Sequence, residues 1–215
     1  MSQYFDERPA ASHDPDEVEV DVAGTKLTFT TDAGVFSRHR LDPGTAVLLK
    51  KAPPPPLRGT ILDLGCGYGP IACAMAVQSP DAQVWAVDVN ERARELTEKN
   101  LLANGLANVT VAAPDDVPPD LEFDAIFSNP PIRVGKAAMQ EMLDRWLRRL
   151  TPSLVLEDPA LEDPHEGGRA YLVVQKHLGA DSLHDWLRRR GYLTERIASS
   201  KGYRVFVVEG KVAEG

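Results

Sequence analysis

Ser128-Asn129-Pro130-Pro131-Ile132 follows an apolar run, Phe123-Asp124-Ala125-Ile126-Phe127, that reads as a strand. An amide at a strand end with two prolines behind it suits one kind of chemistry. An amine conjugated to a carbonyl or heteroaromatic ring is a poor nucleophile, because its lone pair is delocalised. The Asn129 side-chain oxygen and the following backbone carbonyl can each accept one N–H of such an amine. That aims the lone pair at an electrophile, favours a pyramidal nitrogen and faces the positive charge that develops on it. The prolines stiffen the turn and keep the carbonyl aimed. No general base is needed before transfer, since the proton becomes acidic only afterwards. On this reading Asn129, Pro130, Pro131 and Ile132 form the catalytic corner.

A second stretch, Ile61-Leu62-Asp63-Leu64-Gly65-Cys66-Gly67-Tyr68-Gly69-Pro70, could hold a ligand. It reads as a buried strand, a glycine turn and a helix opened by Pro70, the layout in which backbone approaches a ligand closely. The dinucleotide fingerprint wants its third glycine where Pro70 stands, and Asp63 would sit badly against a pyrophosphate. About twenty residues on, the next strand, Val84-Trp85-Ala86-Val87, ends in Asp88. A carboxylate there can accept hydrogen bonds from both ribose hydroxyls at once.

These sites need a scaffold. The chain has 215 residues, 43% of them hydrophobic and 26% charged, enough for one α/β domain with an N-terminal addition. From residue 59 strands and helices alternate. Strands are expected at 60–64, 83–88, 108–112, 123–128, 169–175, 193–199 and 203–209, and helices at 70–78, 91–104, 136–150 and 180–190. Such alternation predicts a mostly parallel sheet with helices on both faces. The last two strands are joined by only a few residues, Ser199 to Gly202, which favours a terminal antiparallel hairpin. In 136–150 the apolar residues, Trp146 among them, repeat at helical spacing and read as core.

Ahead of this domain, at 57–215, lies an extension at 1–56. Residues 1–17 read as a polar arm. Val18, Val20 and Val22, then Leu27 and Phe29, alternate as a β-hairpin, and Asp42-Pro43 caps a helix reaching Lys51. Pro53 to Pro56 form a stiff spacer. The acidic stretch 153–166 reads as a surface insertion.

Composition excludes several classes. No apolar run approaches the ~18 residues of a membrane span, and the N-terminus lacks the form of a signal peptide, so a cytoplasmic protein is expected. Cys66 and Cys73, without nearby histidines, make neither a disulfide framework nor a zinc site, and the five histidines show no ligand spacing; no metal is expected. A net charge of −8 argues against strong nonspecific nucleic-acid binding. Arg145, Arg148, Arg149 and the arginines at 188–190 read as polar helix faces.

The glycine turn resembles motif I of the class I S-adenosylmethionine (SAM) methyltransferases. Together with Gly34-Val35-Phe36-Ser37, Asp42-Pro43-Gly44-Thr45, Asp88-Val89-Asn90, Ser128-Asn129-Pro130-Pro131-Ile132-Arg133, Val173-Val174-Gln175-Lys176 and Lys201-Gly202-Tyr203-Arg204-Val205, it makes most of the chain similar to the small-subunit-type methyltransferase domain family. That family includes ribosomal RNA guanine-N2 methyltransferases. The resemblance implies a Rossmann-like class I methyltransferase sheet with a terminal antiparallel hairpin. It also implies SAM as cofactor, held by Asp63, Gly65, Cys66, Gly67, Gly69, Asp88 and Val89. Asp115, chosen over Asp116, is expected at the adenine. The substrate amine is expected at Asn129, with Phe36, Arg133, Lys136, Lys201 and Arg204 contacting RNA. Family members acting on bases commonly place an aromatic residue after the prolines; Ile132 offers apolar contact instead.

The expected function is SAM-dependent N-methylation of the exocyclic N2 of guanine in ribosomal RNA. Three rivals stand beside it: a protein glutamine-amide methyltransferase, a SAM-binding ribosome-assembly module without turnover, and a dehydrogenase.

Overall fold

The computed structural model describes residues 14–35, 37, 39–131, 134–152 and 167–210. Phe36, Ile132 and Arg133, the insertion at 153–166 and most of the N-terminal arm lie outside the described residues. In chain order the elements are β1 (Asp16–Val22), β2 (Thr25–Thr31), α1 (Pro43–Lys51), β3 (Arg58–Leu64), α2 (Pro70–Gln78), β4 (Asp81–Val87), α3 (Glu91–Ala103), β5 (Val109–Ala112), β6 (Ala125–Ser128), α4 (Lys136–Leu147), β7 (Arg169–Gln175), a 3-10 turn (Lys176–Leu178), α5 (Ala180–Arg189), β8 (Thr194–Ser200) and β9 (Tyr203–Glu209).

Seven strands form one sheet in the order β5-β4-β3-β6-β7-β9-β8. The first five are mutually parallel; β9 runs antiparallel to both of its neighbours, as the short Lys201-Gly202 link requires. The α/β reading, with a mostly parallel sheet and a terminal hairpin, describes this fold. Strand order reverses at β3, which lies between β4 and β6. The carboxyl ends of strands at such a switch point leave a crevice for ligands.

Alternation along β3 assigns side chains to the two faces. Ile61 packs with α1, α2 and α3, while Leu62 and Leu64 pack with α4 and α5. Helix α2 is apolar all round and buried from Pro70 through Ala76, as a helix enclosed by its neighbours must be. Helix α4 stops three residues earlier than its periodicity predicts. Arg149 lays its guanidinium over the rings of Phe123 and Trp146 and donates to the Leu121 carbonyl, and Leu150 then bridges to Phe123. Phe123 and Asp124 accordingly precede β6 instead of extending it.

The N-terminal hairpin is joined to the domain by an unusual ladder. Asn100 on α3 and Asn104 at its C-cap stand one turn apart and pair with the β2 backbone as a neighbouring strand would. Thr30 N–H donates to Asn100 Oδ1 (2.7 Å) and Thr28 N–H to Asn104 Oδ1 (3.0 Å). The two amides donate back to the same residues' carbonyls at 2.9 and 2.8 Å. Asn100 also donates to the carbonyl of Tyr68 in the glycine turn, at 2.8 Å. Asn100 is fully buried, so Asn100→Ala strands three backbone groups and is expected to destabilise the protein by about 3 kcal/mol. Urea unfolding of the variant measures this.

Candidate active site

A cavity of about 670 Å³ opens at the carboxyl ends of β4, β3 and β6. The loops after these strands supply Asp88, Val89 and Asn90, then Gly65, Cys66 and Gly67, then Asn129, Pro130 and Pro131. The two loop starts on β3 and β6 are tied together: Leu64 pairs with Ser128, and the Ser128 hydroxyl donates to the Leu64 carbonyl at 2.7 Å.

Four N–H groups of the glycine turn are spent within the protein. Gly65 and Cys66 both donate to the Val87 carbonyl (2.8 and 3.1 Å), Gly69 to the Cys66 carbonyl (2.9 Å) and Gly67 to Asp88 Oδ2 (2.9 Å). At the start of α2, Pro70 has no N–H and Ala72 donates to Asp63 Oδ2 at 2.8 Å. A phosphate cradle needs those donors free. With those donors taken up, and with the Asp88 carboxylate on the cavity wall beside it, the turn suits a ligand that offers hydroxyl donors and not a pyrophosphate. Gly65 and Gly67 have positive φ, and a Cβ on either would meet nothing within 4 Å, leaving open space for a ligand along the backbone. Gly69 serves packing: its Cβ would lie 3.0 Å from Thr97 Cγ2, and it is not on the cavity wall.

Asp88 accepts one backbone N–H on each oxygen, from Gly67 and from Asn90, both at 2.9 Å. This orients the carboxylate in the cavity wall with further acceptor capacity on both oxygens. Burial raises its pKa, while the backbone N–H groups of Asn90, Gly67 and Val89, together with Arg94, oppose that shift. The Cys66 thiol is buried against Thr97 and pushed well up by burial, so it is held as an unreactive thiol.

Asp63 lies beneath the wall, fully buried, and its Oδ1 has no hydrogen-bond partner among the described residues. Burial pushes its pKa from the ordinary 3.8 up to about 8. Between those two values the folded chain keeps a proton that the unfolded chain has shed, so stability is lost as pH rises from one to the other. Asp63→Asn is expected to flatten that loss. Denaturant midpoints of variant and parent, compared near pH 5 and near pH 8, measure it.

At the β6 loop, the amide nitrogen of Asn129 donates to Asp42 Oδ1 (2.7 Å) and Thr45 Oγ1 (3.2 Å). An ionised carboxylate can only accept, so Asp42 fixes which end of the amide carries nitrogen and leaves Asn129 Oδ1 as the end for a ligand. The same Asp42 oxygen caps α1 by accepting Thr45 N–H at 3.0 Å. This contact crosses 87 residues of sequence. Asp42-Pro43 was legible as a helix cap, but nothing local signals its second use. Val35, Ser37, Arg40, Pro43 and Thr45, with Tyr203 on β9, also line the cavity. Gly44 permits their close approach, since a Cβ there would fall 2.8 Å from Tyr203 Cε1. Trp146 is core, as its spacing predicts, with part of it on the cavity wall.

Other expected site residues stand apart. Asp115 points outward, its side chain 90% exposed and paired with Arg145 at 2.9 Å; Pro114 reaches the wall instead. Arg204 is held by Asp181, and neither Lys136 nor Lys201 is on the wall. Arg148 and Arg190 pair with Asp144, as surface arginines on helix faces do. Among the described residues no cluster of His, Cys, Asp or Glu could hold a metal, and no helix is long and apolar enough to cross a membrane.

The family model described as methyltransferase small domain matches residues 26–207. The uncharacterized protein YbxB of Bacillus subtilis is 31% identical over 97% of this chain and 97% of its own length. Ribosomal RNA small subunit methyltransferase C of Shewanella loihica is 35% identical over 71% of this chain, which spans 41% of that relative's length. Among solved structures, the T. thermophilus 16S rRNA N2 methyltransferase (RsmC) in complex with AdoMet and guanosine superposes with a TM-score of 0.75 at 25% identity. That match covers 94% of this chain and 52% of the other.

Proposed function

We propose, from the premise that this chain belongs to the methyltransferase small-domain family, that it methylates the exocyclic N2 of a guanine in small-subunit ribosomal RNA. It is a SAM-dependent methyltransferase. When bound, SAM supplies a methyl group made electrophilic by its sulfonium. Asp88 suits the ribose hydroxyls, Val89 offers apolar surface, and Gly65 and Gly67 leave space for the ligand chain. The N–H groups of Gly65, Cys66, Gly67 and Gly69 are taken up by protein acceptors and leave a pyrophosphate without its cradle, which weighs against the dehydrogenase reading.

The observation that carries the proposal is the anchored amide. With its nitrogen held by Asp42 and Thr45, Asn129 directs its oxygen to the substrate amine, and the Pro130 carbonyl is the second acceptor. Two accepted N–H bonds pull the amine out of conjugation and stabilise the charge it acquires on methylation. The proton then leaves to solvent. Pro131 keeps the corner rigid, and Ile132 and Phe36 are assigned apolar contact with the base. Tyr203 supplies an aromatic face from β9, where related enzymes place one after the prolines. Residues 57–215 carry the transfer chemistry, and 1–56 complete the substrate side of the cavity. RNA is the partner, engaged outside the cavity by Lys136 and Lys201, with Arg133 assigned to the same role; Arg204 contributes indirectly, by bracing that strand against α5.

Purified protein incubated with methyl-labelled SAM, under-modified small-subunit RNA and the matching protein fraction tests this. Label recovered as N2-methylguanosine is expected. Label in protein glutamine would support the amide reading, and SAM binding without product would support the assembly-module reading; either overturns the proposal.

A further inference from the structure

We infer that Asp42 reads the N1–H of the target base, so that the site selects guanine over every other conjugated amine the corner could activate. This rests on the proposed guanine chemistry and adds to it the group that sets specificity.

Asp42 lines the cavity beside Asn129. Both of its side-chain contacts, from Thr45 N–H and from Asn129 Nδ2, fall on Oδ1. Oδ2 is not sealed in the interior and has no hydrogen-bond partner among the described residues; Asp42 makes no ion pair with any of them. Its charge is felt nearby. It helps hold the phenols of Tyr68 and Tyr203 in their neutral form, although burial is the larger cause for each. The corner therefore offers an amine-accepting oxygen on Asn129 and, from the carboxylate that holds the nitrogen end of the same amide, a second acceptor on the cavity wall.

The matching ligand edge is an amine with an N–H donor next to it. Guanine has that edge, N1–H beside the 2-amino group. Adenine places an acceptor nitrogen beside its amine, cytosine does the same, and a glutamine amide places its carbonyl oxygen there. Each of those would set an acceptor against a carboxylate, and a site built for one donor rejects analogues lacking it.

Asp42→Asn isolates this role. Asparagine also caps helices well, and its oxygen can keep both Oδ1 contacts, so only the Oδ2 position changes, from acceptor to donor. The probes are guanosine and 2-aminopurine riboside, which keeps the 2-amino group but offers N1 as an acceptor. Binding is read with S-adenosylhomocysteine present, by fluorescence for 2-aminopurine riboside and by competition for guanosine. The parent protein is expected to favour guanosine by about tenfold or more, and Asp42→Asn to reverse that preference. Thr45→Val, which removes only an anchor of Asn129, should weaken both probes alike. An unchanged preference in Asp42→Asn, or a parent protein that binds neither nucleoside, overturns the inference. Failure of the parent protein to make N2-methylguanosine in RNA would instead defeat the underlying reading, whichever nucleoside it prefers.

Discussion

Asn129→Ala is expected to lower methyl transfer by on the order of a thousandfold while leaving cofactor affinity essentially unchanged. The substitution removes the oxygen that accepts the substrate amine and touches none of the groups assigned to the cofactor, which follow β3 and β4. Asn129→Asp should be nearly as damaging. It sets a second carboxylate where the amide nitrogen now lies 2.7 Å from Asp42 Oδ1. Two carboxylates at that separation cannot both ionise, so one takes up a proton and the anchored geometry is lost. Single-turnover transfer from labelled SAM gives the rate, and calorimetry gives the affinity. Loss of SAM binding in Asn129→Ala would make the residue a structural one.

Asp88→Ala is expected to weaken SAM binding by about a hundredfold or more, the cost of losing charge-assisted hydrogen bonds to two hydroxyls. It also releases the N–H groups of Gly67 and Asn90, which the carboxylate holds at 2.9 Å. Asp88→Asn should do little better. Because each oxygen already faces a backbone donor, an amide placed there must turn its NH2 toward one of them. Equilibrium dialysis with labelled SAM measures both variants, and parent-like affinity in Asp88→Asn would remove the ribose role from this residue.

The two loops at the cavity were legible because their signals are local. A strand that breaks into Gly65-Cys66-Gly67, and another that breaks into Asn129-Pro130-Pro131, declare their loops within ten residues, and alternation placed the two strands in one sheet. Their adjacency as β3 and β6, with Leu64 opposite Ser128, follows from the order of a doubly wound sheet. Contacts between distant segments were not legible. Asp42 was readable as a cap, since capping needs only Thr45, three residues away. Its hold on Asn129 needs the folded sheet to bring the two together. The same applies to Asn100 and Asn104, whose partners on β2 lie 70 and 76 residues away in sequence and meet them only in the folded chain. Asp115 shows the converse failing: a carboxylate at a strand end was expected to face a ligand, yet a turn at Pro114 swings it out to Arg145. Charge alone also misplaces Arg204, which a neighbouring helix claims through Asp181.

The central claim is that a rigid corner offers two oxygens to an amine lying across from the methyl donor. The most direct measurement is a crystal structure of the chain with SAM bound in this cavity. The sulfonium methyl is expected to point into open space bordered by Asn129 Oδ1 and the Pro130 carbonyl, with room between for a planar base. A methyl group directed elsewhere, or separated from Asn129 by protein atoms, would contradict it.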